Sequence, residues 1–132
     1  MVASPHTTLI HNIMSLMYSK YGNERVRLFR RESGLLRRAD RYIRVNLKGG
    51  ADIDGFVMVG DDSWRRIPMY ICIEAKVTPD KLNKDQKIRK REFNELGVIY
   101  HIVEDTRFHE DMENLFEYIE HKERLYGDPE AK

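Results

Sequence analysis

Two charged residues, Glu74 and Lys76, lie in the segment PMYICIEAKVTP, which otherwise has the composition of a buried β-strand. Removing an unpaired carboxylate or ammonium group from water is costly, so buried charges are normally paired, hydrogen-bonded or bound to a metal ion. Because side chains alternate between the faces of a strand, we expect Glu74 and Lys76 to share one face with Cys72. The segment is therefore either an edge strand with one wet face or part of a functional site.

A second group of carboxylates lies in the segment GGADIDGFVMVG, where Asp52 and Asp54 are two residues apart and are predicted to share a face. If this strand forms a hairpin with the Glu74 strand, Asp52 lies beside Glu74. Two such carboxylates raise each other's pKa unless a cation lies between them. Mg²⁺ suits this place because it binds one or two carboxylates and leaves positions for water and substrate phosphate. Lys76 can then stabilise charge on the phosphate or orient the attacking water.

Periodicity and turn signals along the chain predict the order α-β-β-β-β-α-β-α, an α/β pattern. A first helix over residues 5–21 is expected to begin after Ser4 and to end before Gly22. Strands are predicted over residues 26–30, 42–47, 51–59, 69–76 and 98–103, and later helices over residues 84–96 and 109–125. The strands over 51–59 and 69–76 are expected to form the hairpin that brings the carboxylates together.

The length and composition predict a single soluble domain over residues 1–132. The chain is 41% hydrophobic and 34% charged, which is typical of a globular domain with its own core. Its apolar runs are short and its N-terminus lacks the basic and apolar regions of a signal peptide, so we expect no membrane association and a cytoplasmic location. The single cysteine, Cys72, is expected to be a packing residue.

Basic residues are concentrated in the first part of the chain. Residues 1–51 contain ten Lys and Arg against three Asp and Glu, whereas residues 104–132 contain four against ten. Arginine donates bidentate hydrogen bonds to phosphate, so this segment is a candidate DNA-binding surface. The alternative is a solvated face, or neutralisation by the acidic C-terminal helix. The candidate DNA-binding residues are Arg30, Arg31, Arg37, Arg38 and Arg41.

Asp52, followed 22 residues later by Glu74-Ala75-Lys76 on a predicted buried strand, resembles the signature of PD-(D/E)xK nucleases. The surrounding order of segments is similar to that of the VRR-NUC family, the virus-type replication-repair nucleases, over roughly residues 8–105. The segments that carry this resemblance are FRRESG (29–34), GGADIDG (49–55), IEAK (73–76) and LNKDQ (82–86). The resemblance implies a restriction-endonuclease-like core, in which helices flank a central mixed β-sheet.

The same resemblance implies a set of site residues. Asp52 and Glu74 would be catalytic residues that bind Mg²⁺, with Mn²⁺ able to replace it, and the backbone carbonyl of Ala75 would be a third ligand. Lys76 would be catalytic and Gln86 a supporting active-site residue, without any small-molecule cofactor. Gln86 also fits a capping box with Asn83 at the start of the helix, and the two interpretations are compatible.

By this resemblance the chain is expected to be a metal-dependent endonuclease of DNA repair that hydrolyses phosphodiester bonds in branched DNA such as Holliday junctions. The alternative is a catalytically inactive module of the same fold that binds DNA or supports assembly. Asp52, Glu74 and Lys76 are all present, which favours the enzyme.

One departure from the family pattern concerns the first helix, where members commonly have a glutamate. Residues 1–23 contain no Asp or Glu. Asp54 is a candidate replacement ligand, or else a solvated residue at the start of its strand. We interpret His11, which lies in the expected helix, as structural, and we assign no role to His6.

The apolar residues of the first helix cover about 200° of the helical wheel, which is wider than the stripe of a surface helix. Together with the family resemblance, this width predicts a homodimer in which a second copy covers part of the helix.

Overall fold

Helices and strands alternate along residues 3–31, 35–38, 41–44, 51–60 and 67–127, which are the residues that a computed structural model of the chain describes. The elements are α1 (Pro5–Tyr21), β1 (Val26–Arg30), β2 (Leu35–Arg38), β3 (Arg41–Arg44), β4 (Ile53–Val59), β5 (Ile67–Lys76), α2 (Lys84–Glu95), β6 (Ile99–Glu104), a 3₁₀ turn (Asp105–Arg107) and α3 (Phe108–Gly127). The predicted α/β fold class is confirmed.

The main sheet has the strand order β1-β4-β5-β6. β1, β4 and β5 are antiparallel neighbours, whereas β6 is parallel to β5, so the sheet is mixed. The predicted hairpin is confirmed as β4 and β5, in which Ile53 pairs with Ile73. α2 connects the parallel strands β5 and β6, as parallel neighbours require a crossover.

The predicted order of elements lacked one strand. β2 and β3 form a separate two-stranded antiparallel sheet, in which Arg38 pairs with Arg41. The sequence analysis predicted only a strand over residues 42–47, of which 45–47 lie outside the described residues. β2 has the four-residue sequence LLRR, which has no alternation of apolar and polar residues by which a strand could be recognised.

α1 begins and ends where the sequence predicts. Ser4 is the N-cap, and its hydroxyl accepts a hydrogen bond of 3.1 Å from the backbone N–H of Thr7. Pro5 follows it, where a missing N–H costs nothing. At the other end Gly22 has φ +80° and donates its N–H to the carbonyl of Tyr18. These caps fix which residues form the first turn.

The core lies between one face of the main sheet and the two helices α1 and α3. Ile71, Ile73 and Ala75 of β5 project into it, which confirms the predicted alternation. The helices contribute Leu9, Ile10, Ile13 and Met17 from α1, and Met112, Leu115, Phe116 and Ile119 from α3. Hydrophobic burial between these layers is the main contribution to the stability of the domain.

The wide apolar arc of α1 is covered within the chain. Four further side chains of the arc, Met14, Leu16, Tyr18 and Tyr21, are partly buried against the same core. Tyr21 packs edge-to-face on Phe116 of α3 at a centroid distance of 5.9 Å. The width of the arc therefore comes from packing against both the sheet and α3, and it gives no reason for a homodimer. The homodimer stays a prediction from the family resemblance.

α2 covers the opposite face of the sheet near β5 and β6. Phe93 of α2 packs against a small buried cluster of Ala51, Cys72 and Tyr100. Cys72 is buried there as expected for a packing residue. Glu74 follows Cys72 on this face, so the start of α2 approaches the candidate site. None of the helices in the described residues is long and apolar enough to cross a membrane.

Candidate active site

Asp52 and Glu74 are neighbours at the end of the β4–β5 hairpin. Asp52 lies in a bend one residue before β4, not within the strand as predicted. Its Oδ2 atom accepts a hydrogen bond of 2.9 Å from the backbone N–H of Ala75. This bond holds the Asp52 carboxylate against the end of β5, where Glu74 and Lys76 lie on either side of Ala75.

The Glu74 side chain is buried, with only 3% of the residue exposed. Its Oε1 atom accepts a hydrogen bond of 2.8 Å from Gln86 Nε2 and lies 3.6 Å from Lys76 Nζ. Its Oε2 atom is buried and has no hydrogen-bond partner among the described residues. A carboxylate this deep in a protein normally has all its acceptors satisfied, so one oxygen is available for a further positive partner.

Burial, followed by the charge of Asp52, raises the pKa of Glu74 from its ordinary value to about 8, and the charge of Lys76 partly opposes this rise. Burial and then the Glu74 charge also raise the pKa of the Tyr100 phenol, which lies nearby. The Glu74 carboxyl group is therefore largely protonated near neutral pH unless a cation approaches it, because ionisation in this place is opposed by both low dielectric and a like charge.

Gln86 closes the capping box of α2 and also contacts Glu74. Its backbone N–H donates to Asn83 Oδ1 at 2.8 Å, and its side-chain Oε1 accepts from the backbone N–H of Asn83 at 3.0 Å, which completes a capping box. The Nε2 group remains free for Glu74. The helix start therefore orients the amide so that it can only donate to the carboxylate.

His6 is a site residue that the sequence analysis missed. Its Nε2 atom lies 3.2 Å from Asp52 Oδ2 and 3.2 Å from the carbonyl oxygen of Ala75. The side chain is 42% exposed, so the ring reaches the site from its open side. No local spacing signals this contact, because His6 is 46 residues from Asp52 and 69 from Ala75.

Asp54 is directed away from the candidate ligands. Its carboxylate accepts hydrogen bonds from Arg31 Nε at 2.5 Å and from the Tyr70 hydroxyl at 2.7 Å. The side chain is only 17% exposed, so it is not the solvated residue that the sequence analysis considered, and both of its oxygens accept hydrogen bonds.

The residues at this site suit a hard divalent cation. Asp52 and Glu74 supply carboxylates, and Ala75 supplies a carbonyl, which are the ligand types that Mg²⁺ and Mn²⁺ prefer. The buried Oε2 atom of Glu74 that lacks a partner is the observation in favour of such an ion. In the described residues no three His, Cys, Asp or Glu side chains are already arranged so that they could hold a metal ion.

The structure describes the side chains of two of the five candidate DNA-binding arginines, Arg30 and Arg31. Arg30 is exposed and donates a 3.2 Å hydrogen bond to Thr7 Oγ1 in the first turn of α1, beside His6. Arg31 is paired with Asp54. The side chains of Arg37, Arg38 and Arg41 lie outside the described residues.

Two other basic residues of the N-terminal part are neutralised by α3. Lys20 Nζ lies 3.7 Å from Glu120, and Arg25 forms an ion pair with Glu123. Neutralisation by the acidic C-terminal helix, the alternative to DNA binding, therefore applies to these two residues.

No protein-family model, no curated protein and no solved structure gives a significant match to this chain.

Proposed function

We propose that this chain is an Mg²⁺-dependent, structure-specific endodeoxyribonuclease with a PD-(D/E)xK core of the VRR-NUC type. The observation that carries the proposal is the Glu74 carboxylate, which is buried, lies beside Asp52 and has one oxygen without a partner. An arrangement that is so unfavourable without a cation is typical of a functional site. The mixed sheet supports the proposal, because Glu74 and Lys76 lie on the central strand β5 and Asp52 immediately precedes its central neighbour β4.

Asp52, Glu74 and the carbonyl of Ala75 would hold the ion. When bound, Mg²⁺ lowers the pKa of a coordinated water and neutralises charge on the scissile phosphate. Gln86 fixes the orientation of the Glu74 carboxylate through its 2.8 Å hydrogen bond. Asp52 is held in the same way by the N–H of Ala75. The protein thus orients both carboxylates before substrate arrives, which reduces the reorganisation needed during the reaction.

Lys76 is the catalytic cation of the proposed mechanism. Its ammonium group lies 3.6 Å from Glu74, and its side chain is 14% exposed, so it is fixed at the edge of the site yet open to a substrate. At this position it can donate to a phosphate oxygen or orient the attacking water. Both actions stabilise negative charge that increases in the transition state.

Phosphate contacts by arginine would provide most of the DNA affinity. Arg30 is the described candidate nearest the site, since it contacts the first turn of α1 that carries His6. Arg37, Arg38 and Arg41 complete the proposed surface, and Arg31 would need to exchange Asp54 for a phosphate. Contacts of this kind position DNA without reading its sequence, which suits an enzyme that recognises DNA shape.

Branched DNA such as a four-way junction is the proposed substrate. The test compares cleavage of a junction, a flap and a linear duplex of equal length in Mg²⁺, with EDTA and the Glu74→Gln variant as controls. We expect the junction to be cut fastest and no cleavage in either control. Equal cleavage of all three substrates would contradict the proposed structure specificity. Binding of DNA without cleavage in Mg²⁺ or Mn²⁺ would instead favour the inactive DNA-binding module.

The proposed nuclease is a homodimer, since a four-way junction offers two symmetry-related strands to two sites. Sedimentation velocity at micromolar concentration tests this directly. A monomer that still prefers junctions would refute the homodimer and leave the proposed activity intact.

A further inference from the structure

We propose that His6 is a ligand of the metal ion at this site, and that it makes the site prefer Mn²⁺ to Mg²⁺. The inference rests on the proposed metal site of Asp52, Glu74 and Ala75. It assigns a role to a residue of the first turn of α1, where the chain has no carboxylate.

The geometry around His6 matches adjacent positions in a metal coordination shell. His6 Nε2 is 3.2 Å from Asp52 Oδ2 and 3.2 Å from the Ala75 carbonyl oxygen. In an octahedral site with bonds of about 2.1 Å, neighbouring ligand atoms are about 3.0 Å apart. The nitrogen therefore lies at the spacing that a third ligand would have from the other two.

The chemistry of His6 Nε2, Asp52 Oδ2 and the Ala75 carbonyl oxygen also favours a cation between them. Both oxygens are acceptors, and Asp52 Oδ2 already accepts the N–H of Ala75. A single Nε2–H shared between two acceptors at 3.2 Å makes a long three-centre hydrogen bond, and an unprotonated Nε2 facing two oxygens would be repelled. An ion shared by the three atoms removes this conflict.

The position of the ring is set by the start of α1. Ser4 caps the helix through the N–H of Thr7, and Pro5 fixes the backbone immediately before His6. The 42% exposure of His6 leaves one side of the site open for water and a phosphate.

An imidazole ligand changes which metal is preferred. Mg²⁺ binds oxygen ligands almost exclusively, whereas first-row transition metals bind imidazole nitrogen well, with Mn²⁺ at the weak end of that series. His6 should therefore increase affinity for Mn²⁺ while contributing little to that for Mg²⁺.

The test uses the full chain and measures metal binding without an activity assay. Mn²⁺ affinity is obtained from the EPR signal of free Mn²⁺, Mg²⁺ affinity by competition, and nitrogen coordination from electron spin echo modulation by ¹⁴N. We expect ¹⁴N coupling in the wild-type protein and its loss in His6→Gln. Mn²⁺ affinity should fall by about tenfold or more in this variant, because even the substitution of a residue that only supports a metal ligand lowers metal affinity by about tenfold. The loss of Mg²⁺ affinity should be smaller.

Three further variants make the result specific. His11→Gln, an exposed histidine on the same helix, should change neither the ¹⁴N coupling nor the affinity. His6→Glu should raise the affinity for Mg²⁺ relative to His6→Gln, because it supplies an oxygen ligand. Glu74→Ala should greatly weaken the binding of both metals.

Four results would overturn the inference, two by removing His6 from the ligand set and two by refuting the metal site. Bound Mn²⁺ that is sensitive to Glu74→Ala but lacks ¹⁴N coupling would show that His6 only hydrogen-bonds to Asp52, and the metal site would stand. An equal loss of both metals in His6→Gln would lead to the same conclusion. Absence of Mn²⁺ binding, or binding unaffected by Glu74→Ala, would refute the metal site itself. The ¹⁴N coupling is measured on the wild-type protein, so the inference can be tested even if His6→Gln folds poorly.

Discussion

The strands β5 and β6 end side by side, with Lys76 and Glu104 as register partners. The carboxylates near the two strand ends differ in how many hydrogen-bond donors surround them. Beyond β6, Asp105 Oδ1 accepts hydrogen bonds of 3.0 and 2.8 Å from the N–H and hydroxyl of Thr78. Asp111 accepts the N–H of Glu104 at 2.9 Å. At the end of β5, Glu74 is buried with one oxygen that has no partner. A carboxylate with enough donors stabilises the fold, whereas a buried carboxylate short of donors is a candidate for chemistry.

The two pKa shifts express the same contrast. The backbone N–H and then the hydroxyl of Thr78 lower the pKa of Asp105, because they stabilise its ionised form. Burial and the charge of Asp52 raise the pKa of Glu74. Opposite effects of pH and of substitution are therefore expected at the two strand ends.

Cleavage activity should show the largest difference. Glu74→Ala is expected to reduce Mg²⁺-dependent DNA cleavage by about 10³-fold or more, since a metal ion contributes several kcal/mol to charge stabilisation. Lys76→Ala should behave similarly. Asp105→Ala, the matched control at the end of β6, should retain activity near the wild-type level at a temperature where it is folded. DNA affinity of all three should stay within a few fold, as measured by fluorescence anisotropy in EDTA.

Two outcomes would contradict the predicted difference in cleavage activity. Wild-type cleavage by Glu74→Ala would place the chemistry elsewhere. A comparable loss in folded Asp105→Ala would mean that the contrast between the two carboxylates does not separate function from structure.

Stability of the metal-free protein should depend on Glu74 in a defined direction. Because the folded pKa of about 8 lies above the ordinary value of 4.5, the folded state binds the proton more tightly, and stability falls as the pH rises from about 4.5 to 8. Glu74→Gln removes this titration and keeps an acceptor for Gln86. Its unfolding free energy relative to wild type should therefore increase by a few kcal/mol between pH 4.5 and pH 9, as measured by urea denaturation in EDTA. A pH-independent difference would contradict the raised pKa.

Asp105 should give a smaller effect of the opposite sign. Its folded pKa lies below the ordinary value of 3.8, so its stabilising contribution is present above that value and is lost as the pH falls through the folded pKa. Asp105→Asn should lower the melting temperature at pH 7, and the difference from wild type should shrink towards pH 3. Melting curves across this range provide the measurement. A difference that grows on acidification would refute this account of Asp105.

The smallest expected effect concerns the salt dependence of DNA binding, for which Arg37 and Arg38 are compared with Lys20. Replacing Arg37 and Arg38 together by Gln should flatten the plot of log affinity for DNA against log salt by about 1 to 2 units, at about 0.9 per phosphate contact. Lys20→Gln is the control, because Lys20 is already paired with Glu120 of α3 and should leave the slope unchanged. Equal slopes in the wild type and the double variant would return the two arginines to a solvated face.

Local features of the chain were predictable from sequence because their physical causes lie within a few residues. Strand alternation placed Glu74 with Cys72 and opposite Ile73, and the spacing of Asn83 and Gln86 predicted the capping box. Hairpin geometry then predicted that Asp52 approaches Glu74. β2 was missed because a four-residue strand carries too little local pattern to be recognised.

Contacts between distant elements depended on the tertiary structure. Asp52 accepts a hydrogen bond from the N–H of Ala75, whereas Asp54 accepts from Arg31 and Tyr70, and strand alternation does not predict these different partners. α3 covers the part of α1 that the sequence analysis assigned to a second copy. His6 reaches Asp52 only because the core of α1, α3 and the sheet fixes where the first turn of α1 lies relative to the end of β5. That placement is a property of packing over the whole domain, so no spacing within the sequence encodes it.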